Sequence, residues 1–144
     1  MRFLRRRHAL TLLLIQLASF AGCDQQATVG RVSGIVRLDG KPLTTGAVRF
    51  VPAAGRAASG KIQADGTFTL GTYGESDGAL MGKHQVAILA FEATRPGQRT
   101  EGGRPPAAVT KPLVPERYMA PGTSGLTFEV KPGHNQADFD LTSR

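Results

Sequence analysis

The sequence predicts an all-β fold, a seven-stranded antiparallel β-sandwich preceded by a signal peptide. After residue 30 the chain is a series of short segments in which apolar and polar residues alternate, and Gly, Pro or Asp-Gly pairs bound each segment. No segment shows a convincing helical period. With 144 residues, 18 Gly and 9 Pro, the chain has room for one domain of ordinary size.

The first 22 residues predict an export signal that is removed. Arginines at positions 2, 5, 6 and 7 precede an apolar stretch over 9–20, and the small residues Ala21 and Gly22 follow it. This order is typical of a secretory signal, whose apolar stretch is about 7–15 residues long. A membrane-spanning helix needs about 20 apolar residues. The adjacent Arg6 and Arg7 also fit twin-arginine export, so the export route stays open.

Cys23 is the single cysteine and directly follows the two small residues. The stretch Phe20-Ala21-Gly22-Cys23 resembles the bacterial lipobox, which implies transfer of a diacylglyceryl group to the Cys23 thiol and cleavage between Gly22 and Cys23. Two acyl chains on one residue are enough for stable membrane attachment. We therefore expect an exported lipoprotein that faces the periplasm or the cell exterior, with residues 23–30 as a lipidated tether. One cysteine also excludes an internal disulfide framework and a Cys-based zinc site.

Removal of the signal lowers the net charge from +7 to +3, because four arginines and no acidic residue are lost. The pI of about 10.3 therefore reflects mainly the export signal. No partner role with nucleic acid is expected, since no basic stripe with interleaved aromatic residues remains.

The β-sandwich domain is expected over residues 31–142. Its seven predicted strands are 31–38, 47–51, 60–63, 67–70, 83–91, 126–130 and 137–141. The unbroken apolar run 86–91 predicts a central strand covered on both faces. The last two strands, separated by Pro132-Gly133, are expected to form an antiparallel hairpin with one face in solvent. Asp-Gly pairs at 39–40, 65–66 and 77–78 predict turns, because Gly accepts positive φ.

Residues 92–117 break the alternating pattern. They hold five Pro and three Gly but only three large apolar residues. Such a segment buries too little to offset its ordering entropy, so we expect a long flexible loop, above all over 95–106. A loop of this length is often functional, although a merely solvated insertion is the other interpretation.

The order of several short motifs is similar to that of transthyretin-like, or carboxypeptidase regulatory-like, β-sandwich modules. The resemblance is strongest to small single-domain lipoproteins of planctomycetes, and it covers nearly all of residues 29–141. It implies a prealbumin-like fold, in which Gly34 allows a bulge or a close backbone approach. The motifs are Val32-Ser33-Gly34-Ile35-Val36-Arg37-Leu38-Asp39-Gly40-Lys41-Pro42-Leu43, the run 46–52, Asp65-Gly66-Thr67-Phe68-Thr69-Leu70, the run 77–86 and Thr123-Ser124-Gly125-Leu126.

The enzymatic branch of this fold, the 5-hydroxyisourate hydrolases, has a His that would fall at Val36. Its C-terminal Tyr-Arg-Gly-Ser is also replaced here by Leu141-Thr142-Ser143-Arg144. The resemblance therefore implies no such activity, and no catalytic residue is assigned.

Neither a metal site nor a cofactor is expected. His84 and His134 are read as surface or strand-end residues, since two histidines without a placed carboxylate make a poor metal site. Asp65 and Asp77 precede Gly as turns require, and together with Glu75 they lack calcium-loop spacing.

We expect a non-catalytic, lipid-anchored module with a structural or binding role in the cell envelope, whose partners are the membrane and an envelope protein or polymer. One alternative is an interaction subunit that recruits a protein through a sheet edge or residues 95–106. Another is a carbohydrate-binding or hydrolytic accessory protein, which the absence of Trp and the scarcity of exposed aromatic residues disfavour.

Overall fold

The computed structural model describes residues 28–92 and 111–144, and these residues confirm the all-β fold. In the described part of the chain the only helical element is a short 3-10 helix at Glu116–Met119, so no helix there is long enough to cross a bilayer. The ten strands are β1 Val29–Leu38, β2 Lys41–Pro42, β3 Ala47–Pro52, β4 Ala58–Lys61, β5 Thr67–Thr69, β6 Ala79–Leu80, β7 Gly82–Leu89, β8 Leu126–Val130, β9 His134–Gln136 and β10 Phe139–Leu141.

Strand β1 organises the first sheet, which has six strands. It pairs in antiparallel fashion with β2, β5 and β6, and in parallel with β9 and β10. Ser33 of β1 lies between Thr69 of β5 and Gln136 of β9. Five short strands from different parts of the described chain are therefore hydrogen-bonded to the one long strand β1.

Gly34 confirms the expected close backbone approach. A Cβ atom at this position would overlap the carbonyl oxygen of Ala137. The two chain segments are joined there by a hydrogen bond of 2.8 Å from Ala137 N to Ser33 O. Only Gly allows the segment between β9 and β10 to lie this close to β1.

The second sheet has four antiparallel strands in the order β4-β3-β7-β8. The expected central strand is β7, which lies between β3 and β8, and it is buried from Val86 to Ile88. Phe50 of β3 joins the two layers, because its ring lies 6.0 Å from that of Phe139 in the first sheet and 5.7 Å from that of Phe128 in its own. The core is therefore the apolar layer between the sheets.

The expected hairpin of the last two strands is wrong. β8 pairs with β7 in the second sheet, whereas β10 pairs in parallel with β1 in the first. Residues 131–133 carry the chain from one layer to the other. Both strands alternate as predicted, but Phe128 and Phe139 point into the interior from opposite layers rather than from neighbouring strands.

The strand number also differs from the expected seven. The seven predicted segments correspond to β1, β3, β4, β5, β7, β8 and β10. The additional strands β2, β6 and β9 have only two or three residues and pair with β1. Such short strands follow turns directly and show no alternation of their own.

The described end of the expected long loop packs against the domain. Leu113 N donates to Ala90 O at 2.9 Å, and Glu92 N donates to Lys111 O at 2.9 Å. The side chain of Val114 is only 3% exposed and belongs to the core. Residues 111–117 are therefore anchored to the domain by these bonds and by the burial of Val114. The portion 95–106 lies outside the described residues.

Candidate functional site

The lipidation and cleavage residues Gly22 and Cys23 lie outside the described residues, as does the whole export signal. Their assignment stays a prediction from the sequence. Residues 95–106, the candidate partner-binding segment, also lie outside the described ranges, whereas the histidine and acidic candidates fall within them.

His84 is not a surface residue, which corrects that expectation. Its side chain is 2% exposed and packs against the Phe50 ring, with 5.7 Å between ring centroids. Its Nε2 atom lies 2.6 Å from Leu80 O, so Nε2 carries the proton and donates. Nδ1 is buried, and no described residue forms a hydrogen bond with it. Lys83 and Gln85 on either side are exposed, so alternation along β7 turns His84 inward.

His134 is exposed on β9, and its Nε2 lies 3.1 Å from Ser33 Oγ. A Ser–His pair is the start of a nucleophilic site, which also needs a group that orients the His. Asp138, four residues further on, instead accepts bonds from Gln136 Nε2 at 2.7 Å and Ile35 N at 3.2 Å. Nothing in this arrangement goes beyond a surface hydrogen bond.

The acidic candidates have structural roles in turns. Asp65 Oδ1 accepts from Thr67 N at 3.0 Å and from Thr67 Oγ1 at 2.7 Å, which lowers the pKa of the Asp65 carboxyl. Gly66 next to it has φ of 85°. Over residues 28–92 and 111–144, no three His, Cys, Asp or Glu side chains are grouped so that they could hold a metal ion.

A groove of about 680 Å³ lies beside β4 and β5. These strands belong to different sheets, and their ends are joined by two backbone hydrogen bonds between Ser59 and Gly71, of 2.9 and 3.0 Å. Residues 71–76 of the loop after β5 also line it. We call this feature the β4–β5 groove; its lining includes the side chains of Arg56, Ser59, Lys61, Gln63, Thr69, Tyr73 and Glu75.

Tyr73 is the most exposed large apolar side chain of the described residues, at 59%. It lines the β4–β5 groove. The guanidinium carbon of Arg56 lies 5.9 Å from the centre of its ring, within the range of a cation–π contact. The lining of the groove therefore includes an aromatic ring with a cation beside it.

The backbone under Tyr73 is held by one carboxylate. Asp77 accepts from Thr72 N at 2.6 Å, from Tyr73 N at 3.0 Å and from Gly74 N at 2.9 Å. These bonds, the one from Thr72 first, hold the pKa of the Asp77 carboxyl below its usual value. Ser76 in the same loop has a φ of 63°, in the left-handed region that few side chains adopt. The loop thus has a defined conformation, although its surface is exposed.

The walls of the β4–β5 groove are polar. Ser59 and Lys61 come from β4, Thr69 comes from β5, and Gln63 comes from the turn between them; all are exposed. Arg56 and Lys61 contribute two positive charges, whereas Glu75 contributes one negative charge. Such walls offer hydroxyl, amide and cationic groups to a polar ligand.

A second cavity of about 560 Å³ lies where β3, β7 and β8 meet. Its charged residues are Lys83 and Glu129, which stand directly opposite each other on β7 and β8. Their opposite formal charges cancel, so the lining of this cavity has no net charge to offer a ligand. The β4–β5 groove is the stronger candidate.

Tyr118 near the C-terminus has a perturbed hydroxyl. The Thr142 side chain lies 3.4 Å from the Tyr118 hydroxyl, and Arg117 Nη2 donates to that oxygen at 3.2 Å. These bonds, the one with Thr142 first, lower the pKa of Tyr118 to about 8. Arg117 also donates to the backbone oxygens of Thr142 and Arg144, so this contact fastens the end of the chain rather than forming a pocket.

Sequence reasoning missed the β4–β5 groove. Tyr73 and Arg56 are 17 positions apart in two loops, and no local pattern joins them. The available signal was the combination of Tyr73 with Asp77-Gly78, in which an exposed aromatic residue occupies a structured turn.

No protein-family model, curated protein or solved structure shows a significant match to this chain. Its function is therefore argued from its own residues.

Proposed function

We propose that this chain is a lipid-anchored, extracytoplasmic β-sandwich module of transthyretin-like architecture with a non-catalytic binding role in the cell envelope. The observation that carries the proposal is the position of Cys23. The only thiol of the chain stands directly after small residues that end an apolar stretch, and it precedes β1 at Val29 by six positions.

The short tether determines which end of the domain faces the membrane. Five residue steps separate Cys23 from Thr28, and an extended chain spans at most about 3.6 Å per residue, so the Thr28 end lies within about 18 Å of the anchor. Thr28 O accepts from Met81 N at 3.1 Å. Met81 is 37% exposed, and Lys83 and Lys131 are exposed close to it in the strand register. This end offers an apolar side chain and two lysines to lipid headgroups, with Glu129 opposite Lys83 as the one acid paired in register there.

Two features support the transthyretin-like architecture. The described residues form two sheets with an apolar core between them, and two Asp-Gly pairs of the motifs that carry the resemblance fall at turns between strands. Asp39-Gly40 joins β1 to β2, with φ of 49° and 77° at these residues. Asp65-Gly66 joins β4 to β5.

A binding role is supported by the β4–β5 groove, which is preorganised and polar. A catalytic role has less support, because the nearby Asp138 bonds Gln136 and Ile35 rather than orienting His134 beside Ser33. The module would thus hold a ligand close to the membrane surface rather than convert it.

Membrane fractionation with Cys23→Ser tests the anchor. The parent chain, expressed in a bacterial host, is expected in the membrane pellet after a high-salt wash, and the variant is expected in the soluble extracytoplasmic fraction. Ser59→Cys, which places a thiol on exposed β4, added to Cys23→Ser controls for the presence of a cysteine as such. Equal sedimentation of parent and variant would refute the proposal.

A second candidate is recruitment of a protein partner by strand addition at β8. Among residues 28–92 and 111–144, this strand ends the second sheet and pairs only with β7. Edge strands present free N–H and C=O groups to an extended peptide. Co-purification of a stoichiometric partner that Thr127→Pro abolishes would favour this candidate, and its absence from detergent extracts would refute it.

A further inference from the structure

We propose that the β4–β5 groove binds an acidic saccharide, with Tyr73 as the surface on which a sugar ring stacks and Arg56 and Lys61 as the groups that receive its acidic substituents. This rests on the proposed binding role and names the ligand class of that same site. The experiment below is independent of the lipid anchor.

Tyr73 is unusually exposed for an aromatic side chain of this domain. The domain buries Phe50, Phe68 and Phe139 in its core but leaves 59% of Tyr73 in solvent. The backbone of the loop is held by Asp77 rather than by the ring, and the ring lies beside Arg56 at the surface rather than in the core. An exposed aromatic face removes apolar ligand surface from water, and the C–H face of a pyranose ring is such a surface.

The loop that carries Tyr73 is held in one conformation by Asp77. Three backbone N–H groups bonded to one carboxylate fix the loop before any ligand arrives. A ligand that stacks on Tyr73 therefore orders little of the protein. Weak stacking and hydrogen-bond contacts then yield useful affinity, since the ordering cost is small.

The lining of the β4–β5 groove carries more positive than negative charge. Arg56 and Lys61 outnumber Glu75, and neither cation takes part in the ion pairs of the described residues, which join Arg37 to Asp140 and Lys111 to Glu92. The planar guanidinium of Arg56 beside Tyr73 suits bidentate contact with a carboxylate or sulfate. A neutral sugar would leave both cations without a partner.

The hydroxyl and amide groups of the groove walls favour a saccharide over an acidic peptide. The groove walls carry the hydroxyls of Ser59 and Thr69 and the amide of Gln63. These groups both donate and accept, which matches the many hydroxyls of a sugar. An acidic peptide would use the cations but not the aromatic face, so the two ligands make different demands on Tyr73.

Isothermal titration calorimetry on the purified full chain tests the proposal. The detergent is a polyoxyethylene ether, because a detergent with a sugar headgroup would compete for the site. The probes are trigalacturonate, trimannuronate and dextran sulfate as acidic saccharides, galactotriose as a neutral one, and triglutamate as an acidic peptide. Binding of at least one acidic saccharide about tenfold more tightly than both galactotriose and triglutamate is expected.

Matched variants assign the binding to the groove. Tyr73→Ala should weaken acidic-saccharide binding by about tenfold, as expected for loss of an aromatic contact, whereas Tyr73→Phe should retain it. Phe91→Ala removes another exposed aromatic residue, at 37% exposure, and should change nothing. Arg56→Ala should remove the preference for the acidic saccharide over galactotriose, whereas Lys131→Ala should leave it intact.

Several results would overturn the inference: no binding of any acidic saccharide, equal binding of galactotriose or triglutamate, or unchanged affinity in Tyr73→Ala. Circular dichroism confirms that each variant is folded. Cys23→Ser should bind the saccharide like the parent, so failure of the anchor and failure of the groove give different results.

Discussion

Replacing Gly34 by alanine should destabilise the domain severely. A Cβ atom at Gly34 would overlap the Ala137 carbonyl oxygen and lie 2.5 Å from its carbonyl carbon. Both are backbone atoms, so no side-chain rotation relieves the overlap. Either β1 or the segment between β9 and β10 has to move.

The size of the effect follows from what that movement breaks. Overpacking of a filled interior costs about 1–3 kcal/mol. Separation of the segments also stretches the bond from Ala137 N to Ser33 O and the one from Ile35 N to Asp138 Oδ1, each worth about 1 kcal/mol. The expected loss in the free energy of unfolding is therefore about 3–5 kcal/mol, a large share of the 5–15 kcal/mol that is usual for a domain.

Thermal unfolding of the full chain, followed by far-ultraviolet circular dichroism, measures this loss. At about 4 °C per kcal/mol for a domain of this size, Tm should fall by at least about 10 °C. Gly122→Ala is the matched control, because no heavy atom lies within 4 Å of its added Cβ, and Tm should change by no more than about 2 °C. Similar Tm values for the two variants would show that β1 is not packed as described.

Three further changes give graded effects. Asp77→Asn should lower the free energy of unfolding by about 1 kcal/mol at pH 7, because the bonds to backbone N–H groups lose their charge. Folding lowers the pKa of Asp77, so urea denaturation should show this difference between parent and variant above pH 4. The difference in stability should disappear as the pH falls further and the Asp77 carboxyl of the folded parent becomes protonated. Absorbance at 295 nm should show one tyrosine ionising near pH 8, a step absent from Tyr118→Phe; because folding lowers this pKa, the parent should gain stability over Tyr118→Phe as the pH rises from about 8 to 10, and no such gain would contradict the contact with Thr142. Arg37→Ala removes an ion pair with Asp140 at 3.4 Å that is open to solvent, so a loss above about 1 kcal/mol in urea denaturation would be inconsistent with its exposure.

Features that depend on one residue type in one position were predictable from the sequence. β8 was expected at 126–130 and occupies Leu126–Val130, because its alternation is complete and turns bound it. The Asp-Gly turns and the crowding at Gly34 also follow from local backbone requirements. Each of these features is set by a local property of the backbone, either the conformational freedom of glycine or the two-residue period of a strand.

Features that depend on which distant segment is the partner were not predictable. The alternation of residues 137–141 is the same whether the strand pairs with β8 or, as observed, with β1. His84 stands between two polar neighbours, and only the register of β7 shows that it points inward. The groove around Tyr73 likewise requires Arg56 and β4 to be brought together by the fold.

Mass spectrometry of the N-terminal tryptic peptide, from protein extracted from bacterial membranes, tests the central claim most directly. The account predicts a peptide over residues 23–31 that begins at Cys23 and carries the mass of a diacylglyceryl group. A tryptic peptide over residues 8–31, which retains the signal, or a peptide in which Cys23 has a bare thiol, would contradict it.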